Sequence, residues 1–426
     1  MEEQNRNPQK DRMLLFFIVL LLTLSMITIF CTSKSDNTAA SIDTTTSQID
    51  TNKNVDTTPE PPTEAITSAD TDSNNLDANL ELQPIQYTED SNDKNSQYTG
   101  KRINISVTGL DGRVGRNSHL ADANHVISVF TETGEILITS IPRDTYCDLG
   151  YEDSTNLNKL TICRSNKGRS AYHKELCRIA GVNKIDYWVE FGFSQAMGII
   201  EFLGFKDPKN TLQVLRNRKG LGGDDYQRCY TQGQFIRQAL LGHFNKFTGT
   251  LGGVLARAGL LLVETNLTND VALDIIDKLD KVGFPKSPDV IRVQVKPNVN
   301  IKYKIYDFNN ENTVPQLVNK IERFNKKRFD DEIETAQPVR NVQKILDDAL
   351  RSAYLDTAKN PQRVINKLVT YYNQRAWYQV MDLNERDRIR SEFGTLLYNA
   401  YVKRGKQGDA DKVKAVIEAD KVLHNK

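Results

Sequence analysis

The chain has 426 residues, with 56 lysines and arginines against 55 aspartates and glutamates, for a net charge of +1. That length holds two modest domains, or one large domain with attachments. The balance gives no overall basic field, and the small excess in residues 311–426, 22 bases against 17 acids, is spread along helical stretches as solvated faces, so no nucleic-acid partner is expected.

Residues 13–31, MLLFFIVLLLTLSMITIFC, are 19 in a row without a charge. As a helix rising about 1.5 Å per residue they nearly cross a hydrocarbon core, which predicts one transmembrane helix. Arg6, Lys10 and Arg12 precede it and Lys34 is the only nearby base behind it, so residues 1–12 form a cytoplasmic tail and the rest of the chain is extracytoplasmic. The competing reading is a cleaved signal peptide. Against it, the run exceeds the usual apolar core of about 7 to 15 residues and lacks a small-x-small site directly behind it. Bulky Phe30 stands where lipid modification of Cys31 would want a small residue. Residues 32–100 are Ser, Thr, Asn and Asp, with 13 acids against 3 lysines and no aliphatic pattern until about Leu80. Such a stretch buries too little apolar area to offset its ordering entropy and reads as a disordered acidic linker.

Short β-branched runs follow: INISVTGL (103–110), then HVISVF (125–130) and EILITSI (135–141) joined by the hairpin-like TETGE. DYWVEFG (186–192) predicts a further strand, SQAMGIIEFLG (194–204) and QGQFIRQALLGHF (232–244) predict amphipathic helices, and VIRVQV (290–295) closes the set. Strands interleaved with helices predict an α/β fold, a layered α-β-α domain with a central mixed sheet over 101–306. Beyond 311 the strands stop. Asn360-Pro361 and Asn384 start helices, and Gly405 and Gly408 break toward a last one near 409–423. Residues 311–426 therefore read as a helical C-terminal appendage, a candidate docking site for a protein partner. Cys147, Cys163, Cys177 and Cys229 lack CxxC spacing, which argues against a zinc cluster, and an oxidising exterior would favour one or two disulfides.

Charges gather just past the strands, where open α/β sheets hold their ligands. Gly109-x-Asp111-x-Arg113 follows the first strand, Asp122 precedes the second, and the third runs through ITSI into Pro142-Arg143-Asp144. Lys159 comes next, then LRNRKGLGGDDYQRCYTQ with Arg216, Arg218, Asp225, Arg228 and Gln232. Two carboxylates with several arginines suit a diphosphate and a divalent metal. Magnesium takes hard oxygens in an octahedron, and guanidinium groups bind phosphate oxygens in pairs. Each piece also has an ordinary reading. Arg143-Asp144 alone is an exposed strand-end ion pair worth about 0–1 kcal/mol, Arg216-Asn217-Arg218 a solvated edge strand, and Asp111 in LDG a turn residue.

In order and spacing these residues, with Ser140-Ile-Pro-Arg-Asp-Thr145 the most specific string, resemble the LytR-CpsA-Psr family over about residues 101–306. The resemblance implies an enzyme that moves a glycopolymer from a polyprenyl diphosphate carrier onto peptidoglycan at the membrane. By that likeness Asp111 and Asp122 would ligate Mg2+ or Mn2+. Arg113, Arg143, Lys159, Arg216, Arg218, Arg228 and Gln232 would hold the diphosphate, and the reacting centre would comprise Arg143, Asp144 and Asp111. The helices at 194–204 and 232–244 would line a slot for the prenyl tail. Three departures stand out. Leu120 and Thr231 occupy positions where the family usually has arginine, with Arg116 the nearest replacement for the first, and Gly204-Phe205-Lys206 replaces a usual Gly-Gly-Val. Two other readings remain open from sequence: a metal-dependent phosphohydrolase built on His119, Asp122 and His125, and a non-catalytic lipid-binding envelope scaffold.

Overall fold

The structure, a computed structural model, describes residues 86–87, 101–116, 118–331 and 341–424. The expected tail, membrane helix and nearly all of the linker lie outside the described residues. Among the described residues no helix is long and apolar enough to cross a membrane. Residues 76–426 form one compact unit.

Its centre is a mixed six-stranded sheet of β2 (Arg102–Leu110), β3 (Ala121–Phe130), β4 (Glu135–Ile141), β5 (Tyr187–Phe191), β6 (Glu264–Thr265) and β7 (Ile291–Val295), in the order β6-β5-β2-β3-β4-β7. β2, β3 and β4 run antiparallel to their neighbours in that trio, while β5 lies parallel to β2 and β7 parallel to β4. A separate two-stranded ribbon pairs β1 (Gln86–Tyr87) with β8 (Lys304–Ile305).

Strand alternation divides the sheet into unlike faces. On β2, Ile103 and Ile105 join the apolar layer under helices α5 (Asp225–His243) and α7 (Asn269–Lys281). The intervening Ser106 and Thr108 turn to α2 (Gly168–Ala180), where they meet His173 at 3.2 Å and the Tyr172 hydroxyl at 3.1 Å. This second face is polar yet satisfied: Tyr172 also donates to Asn124 Oδ1 at 2.7 Å, and Ser128 donates to Asn104 Oδ1 at 2.7 Å. Glu190 of β5 is buried among the two guanidiniums of Arg164 and Arg169 at 2.7 and 2.6 Å. Burial alone would raise its pKa, but the two arginines prevail and bring it down to about 2.

The strands expected from sequence are present, β3 beginning four residues earlier than its aliphatic run. Several helices were not expected: α1 (Leu160–Asn166), α2, α4 (Pro208–Arg216), α6 (Gly249–Leu261) and α7. The edge-strand reading of Arg216-Asn217-Arg218 is corrected, because Asp207 caps a helix through the Asn210 N–H, Pro208 opens it, and Arg216 is its last residue. The four cysteines are free thiols rather than disulfides. Cys147 and Cys163 are packed in one apolar cluster with Leu160 and Tyr172, where burial pushes their thiols up to about 12 and about 11 and so suppresses the thiolate that oxidation requires.

Helices α8 (Thr313–Asp331), α9 (Val342–Tyr354), α10 (Pro361–Asn373), α11 (Leu383–Lys403) and α12 (Gln407–His424) form the C-terminal region. Asn360 caps α10 as read from sequence, its side chain accepting from the Arg363 N–H at 3.1 Å. The picture of an appendage is corrected. Trp377, Tyr378, Phe393 and Leu397 share one continuous core with Met197 and Ile200 of α3 (Phe193–Phe202) and with Leu212 and Leu215 of α4. Gly198 on α3 makes that contact feasible, since a Cβ there would lie 2.5 Å from the Tyr378 ring.

Candidate active site

At the ends of β2, β3 and β4 the chain presents Asp111, Asp122 and Arg143, and the amino end of α5 brings Asp225, Arg228 and Gln232 to the same place. α5 sits close on the sheet because Gly233 has no side chain; a Cβ would meet Val293 at 2.6 Å and Ser140 Oγ at 2.7 Å. Arg143 is the hub. Its Nη1 donates to Asp122 Oδ1 at 2.7 Å, its backbone N–H donates to Asp225 Oδ2 at 3.1 Å, and its Nε lies 3.8 Å from Asp144. Asp144 in turn faces Lys159 and Arg218, each at 3.8 Å. Asp225 takes Arg228 at 2.6 Å and Arg218 at 3.2 Å, and Arg228 also donates to the Asp122 carbonyl at 3.1 Å. On the opposite lip Arg216 lies 3.7 Å from Asp111 and over the Phe193 ring at 4.9 Å.

The electrostatics follow from crowding. Burial works against the charge of Arg143, yet Asp122, Asp144 and Asp225 around it hold the guanidinium above its ordinary value. Asp225 moves the other way, raised by burial that Arg228 only partly offsets. Arg143 Nε, Arg218 Nη2 and Arg228 Nε are buried N–H groups with no hydrogen-bond acceptor among the described residues. Three unmatched guanidinium donors beside one cluster are the chemistry of a site for an oxyanion.

The cluster caps a cavity of about 440 Å³. Asp111, Asp122, Arg216, Arg228 and Gln232 line its charged end. Its remaining walls are apolar: Val107, Ile127 and Val189 from the sheet, Ile199 and Leu203 from α3 and its end, and Phe235, Leu240 and Phe247 from α5 and the segment behind it. His125 also lines the cavity, with Nδ1 2.9 Å from Ser140 Oγ. Burial lowers its pKa to about 4, so it is neutral at ordinary pH. An apolar slot with a few convergent polar groups at one end suits an amphiphile with an anionic head.

Of the residues singled out in the sequence, Asp122, Arg143, Asp144, Lys159, Arg218 and Arg228 meet in one network, with Asp111, Arg216 and Gln232 beside it on the same cavity. Gln232 donates to the Leu215 carbonyl at 2.9 Å, tying α5 to α4. Arg113 is not brought in: it is exposed and does not line the cavity. Arg116 is likewise exposed and does not line the cavity, so it is not brought to the place of the arginine replaced by Leu120. Thr231 is buried and bonded to Gln227 at 2.9 and 3.0 Å. Among the described residues no three His, Cys, Asp or Glu side chains are arranged to hold a metal. This removes the His119–Asp122–His125 reading, as His119 is exposed while His125 is buried and paired with Ser140. Two carboxylates, Asp111 and Asp122, fit a magnesium ion when ligand phosphate oxygens and water complete the shell. Sequence reasoning singled out His125 and Ser140 separately, one as a metal-ligand candidate and one within the most specific string, but not their pairing across adjacent strands, because polar residues inside a strand carry no local mark of what they face.

Residues 68–204 match the model of the LytR_cpsA_psr family; the match bears out the resemblance over residues 101–204, begins within the stretch read as a linker and stops short of Arg216. No curated protein matches the chain. Among solved structures, B. subtilis TagV is 16% identical, with 53% of this chain and 98% of that one covered and a TM-score of 0.39. The transcriptional regulator yvhJ from Bacillus subtilis is 18% identical, with 55% and 99% covered and a TM-score of 0.36. TagT bound to LIIa-WTA is 15% identical, with 55% and 96% covered and a TM-score of 0.34.

Proposed function

With residues 68–204 carrying the LytR_cpsA_psr signature, we propose that this chain is a cell-envelope phosphotransferase that moves a glycopolymer from a polyprenyl diphosphate carrier onto peptidoglycan. The observation that carries this reading is an apolar slot whose charged end is lined by Arg228, one of three unmatched guanidinium donors, and by Asp122, the ion-pair partner of a second, Arg143. The uncharged apolar segment 13–31 would anchor the chain with its amino terminus cytoplasmic and its folded part on the outer side of the membrane, within reach of both substrates.

In the reaction, an acceptor hydroxyl attacks the phosphorus that carries the glycopolymer. The bond from that phosphorus to the bridging oxygen breaks, a phosphodiester forms, and polyprenyl phosphate leaves with the bridging oxygen. Negative charge grows on that oxygen. Arg143, Arg218 and Arg228 are held rigidly by the acids around them, and fixed donors of this kind stabilise developing charge without reorganising. Asp111 and Asp122 would hold a Mg2+ or Mn2+ ion, which when bound neutralises diphosphate oxygens. Asp122 Oδ1 is already engaged by Arg143, so Asp111 is the freer carboxylate to take the hydroxyl proton. Asp144 keeps Arg143, Lys159 and Arg218 facing one another.

The test is release of prenyl phosphate from a prenyl diphosphate by the full chain, with and without Mg2+. Arg143→Ala should slow it by about 10²–10³-fold, the usual effect of removing one such donor. An unchanged rate in that variant overturns the site assignment. Retained prenyl diphosphate binding with no turnover in the wild type would instead leave the non-catalytic scaffold.

A further inference from the structure

The C-terminal helices reach the loop between β2 and β3 through Gln374 and Tyr371. Gln374, the residue after α10, directs its amide at the loop between β2 and β3. Nε2 donates to the carbonyls of Arg113 at 3.1 Å and Arg116 at 2.7 Å, and Oε1 accepts from the Gly115 N–H at 2.9 Å. The same turn is closed on itself by the Arg116 N–H on the Arg113 carbonyl at 2.9 Å. Tyr371, on the last turn of α10, covers Gly115 so closely that a Cβ there would lie 2.8 Å from its ring, and the φ of +76° at Gly115 favours glycine on backbone grounds as well. Behind Gln374 the chain is equally constrained. Arg375 is buried at a φ of +51°, with its guanidinium donating to the carbonyls of Tyr372 at 2.6 Å and Leu261 at 3.0 Å. A left-handed non-glycine residue persists only where its surroundings fix it.

The gripped loop starts at Asp111, whose N–H donates to the Leu120 carbonyl at 2.9 Å and whose carboxylate lines the cavity beside Arg216. We infer that Gln374 is a positioning residue: through it the C-terminal region holds the loop so that Asp111 stays at the charged end of the cavity, where it would help hold a divalent cation, and so sets how tightly a lipid diphosphate is bound together with Mg2+. The ligand's identity rests on the function proposed above; the clamp does not. Glutamine is the side chain the geometry asks for. A glutamate would place a carboxylate against two carbonyl oxygens, and an asparagine is one methylene too short for all three bonds.

The experiment uses the full chain as wild type, Gln374→Ala and Gln374→Glu, with geranylgeranyl diphosphate in the presence of Mg2+ as the probe. In the variants, amide exchange at Gly115 and its neighbours should quicken about tenfold, confined to residues 111–120. Probe affinity should fall about five- to tenfold, with KM rising in step, and kcat should fall as well because Asp111 is also the proposed proton acceptor. The thermal midpoint should stay within about 4 °C. Unchanged loop exchange overturns the inference. So does faster loop exchange with unchanged affinity, or faster exchange across the whole C-terminal region. If the wild type binds no prenyl diphosphate, the functional reading fails, and loop exchange without ligand alone decides the clamp.

Discussion

Arg143 and His125 lie one strand apart and show how burial acts oppositely on two cations. Arg143 keeps its charge because three carboxylates surround it, whereas His125 has no acid near enough and is held neutral. The histidine makes stability depend on acidity. Its folded pKa, about 4, lies below the ordinary 6.5, so the unfolded chain binds the proton first and stability present above pH 6.5 is lost as pH falls toward 4. His173, lowered to about 4 by burial on the other face, adds a limb of the same sign. Unfolding midpoints in denaturant from pH 7.5 to 4 should therefore decline across that window, and the decline should be shallower in His125→Gln. An equal slope in the two proteins would remove His125 from the account. Of the site residues, those beside a strand end were legible because a Pro-Arg-Asp stop after an aliphatic run is unusual. Arg113 was misplaced because proximity in sequence to Asp111 does not fix the direction of a side chain in a turn.

Among the elements, strands were read well and helices poorly. β2, β3 and β4 alternate β-branched residues over seven or more positions, a signal no helix imitates. α2, GRSAYHKELCRIA, carries so few large apolar residues that its helical period is faint, although Tyr172 and Leu176 are fully buried. α4 was hidden by its own charges: the arginine that ends it drew attention, while the Asp207-Pro208 start went unread. α3 is the element on which two parts of the molecule converge, one face on the cavity and the other on Tyr378. Gly198→Ala should therefore cost about 1–3 kcal/mol, the price of overpacking, seen as a lower denaturation midpoint; an unaffected midpoint would show that Tyr378 has space to retreat.

For the whole molecule, the boundary near residue 306 drawn from composition is not a boundary in packing. Val314 and Ile321 of α8 sit in the same core as Leu212 of α4 and Trp377 beyond α10. Composition reports which elements form, but whether two stretches share a core depends on surfaces brought together over hundreds of residues, and no local pattern encodes that. Trp377 is 1% exposed at the centre of this shared core. Trp377→Ala should cost about 3–5 kcal/mol and should lower the melting of sheet and helical region together in one transition. Two separate transitions in the variant would mean that the parts fold independently.

The pinning of α3 has a mechanical consequence. Its outer side is fastened by Tyr378, by the Gln379 amide on Ser194 at 2.7 Å and by Arg386 on Glu201 at 2.7 Å, so the greasy chamber cannot dilate by swinging that helix outward alone. A guest thicker than the resting bore must carry α3 outward together with the carboxyl-terminal helices fastened to it or displace another wall, such as α4 or α5, and on the first route the work of admission is spread over helices that do not line the chamber.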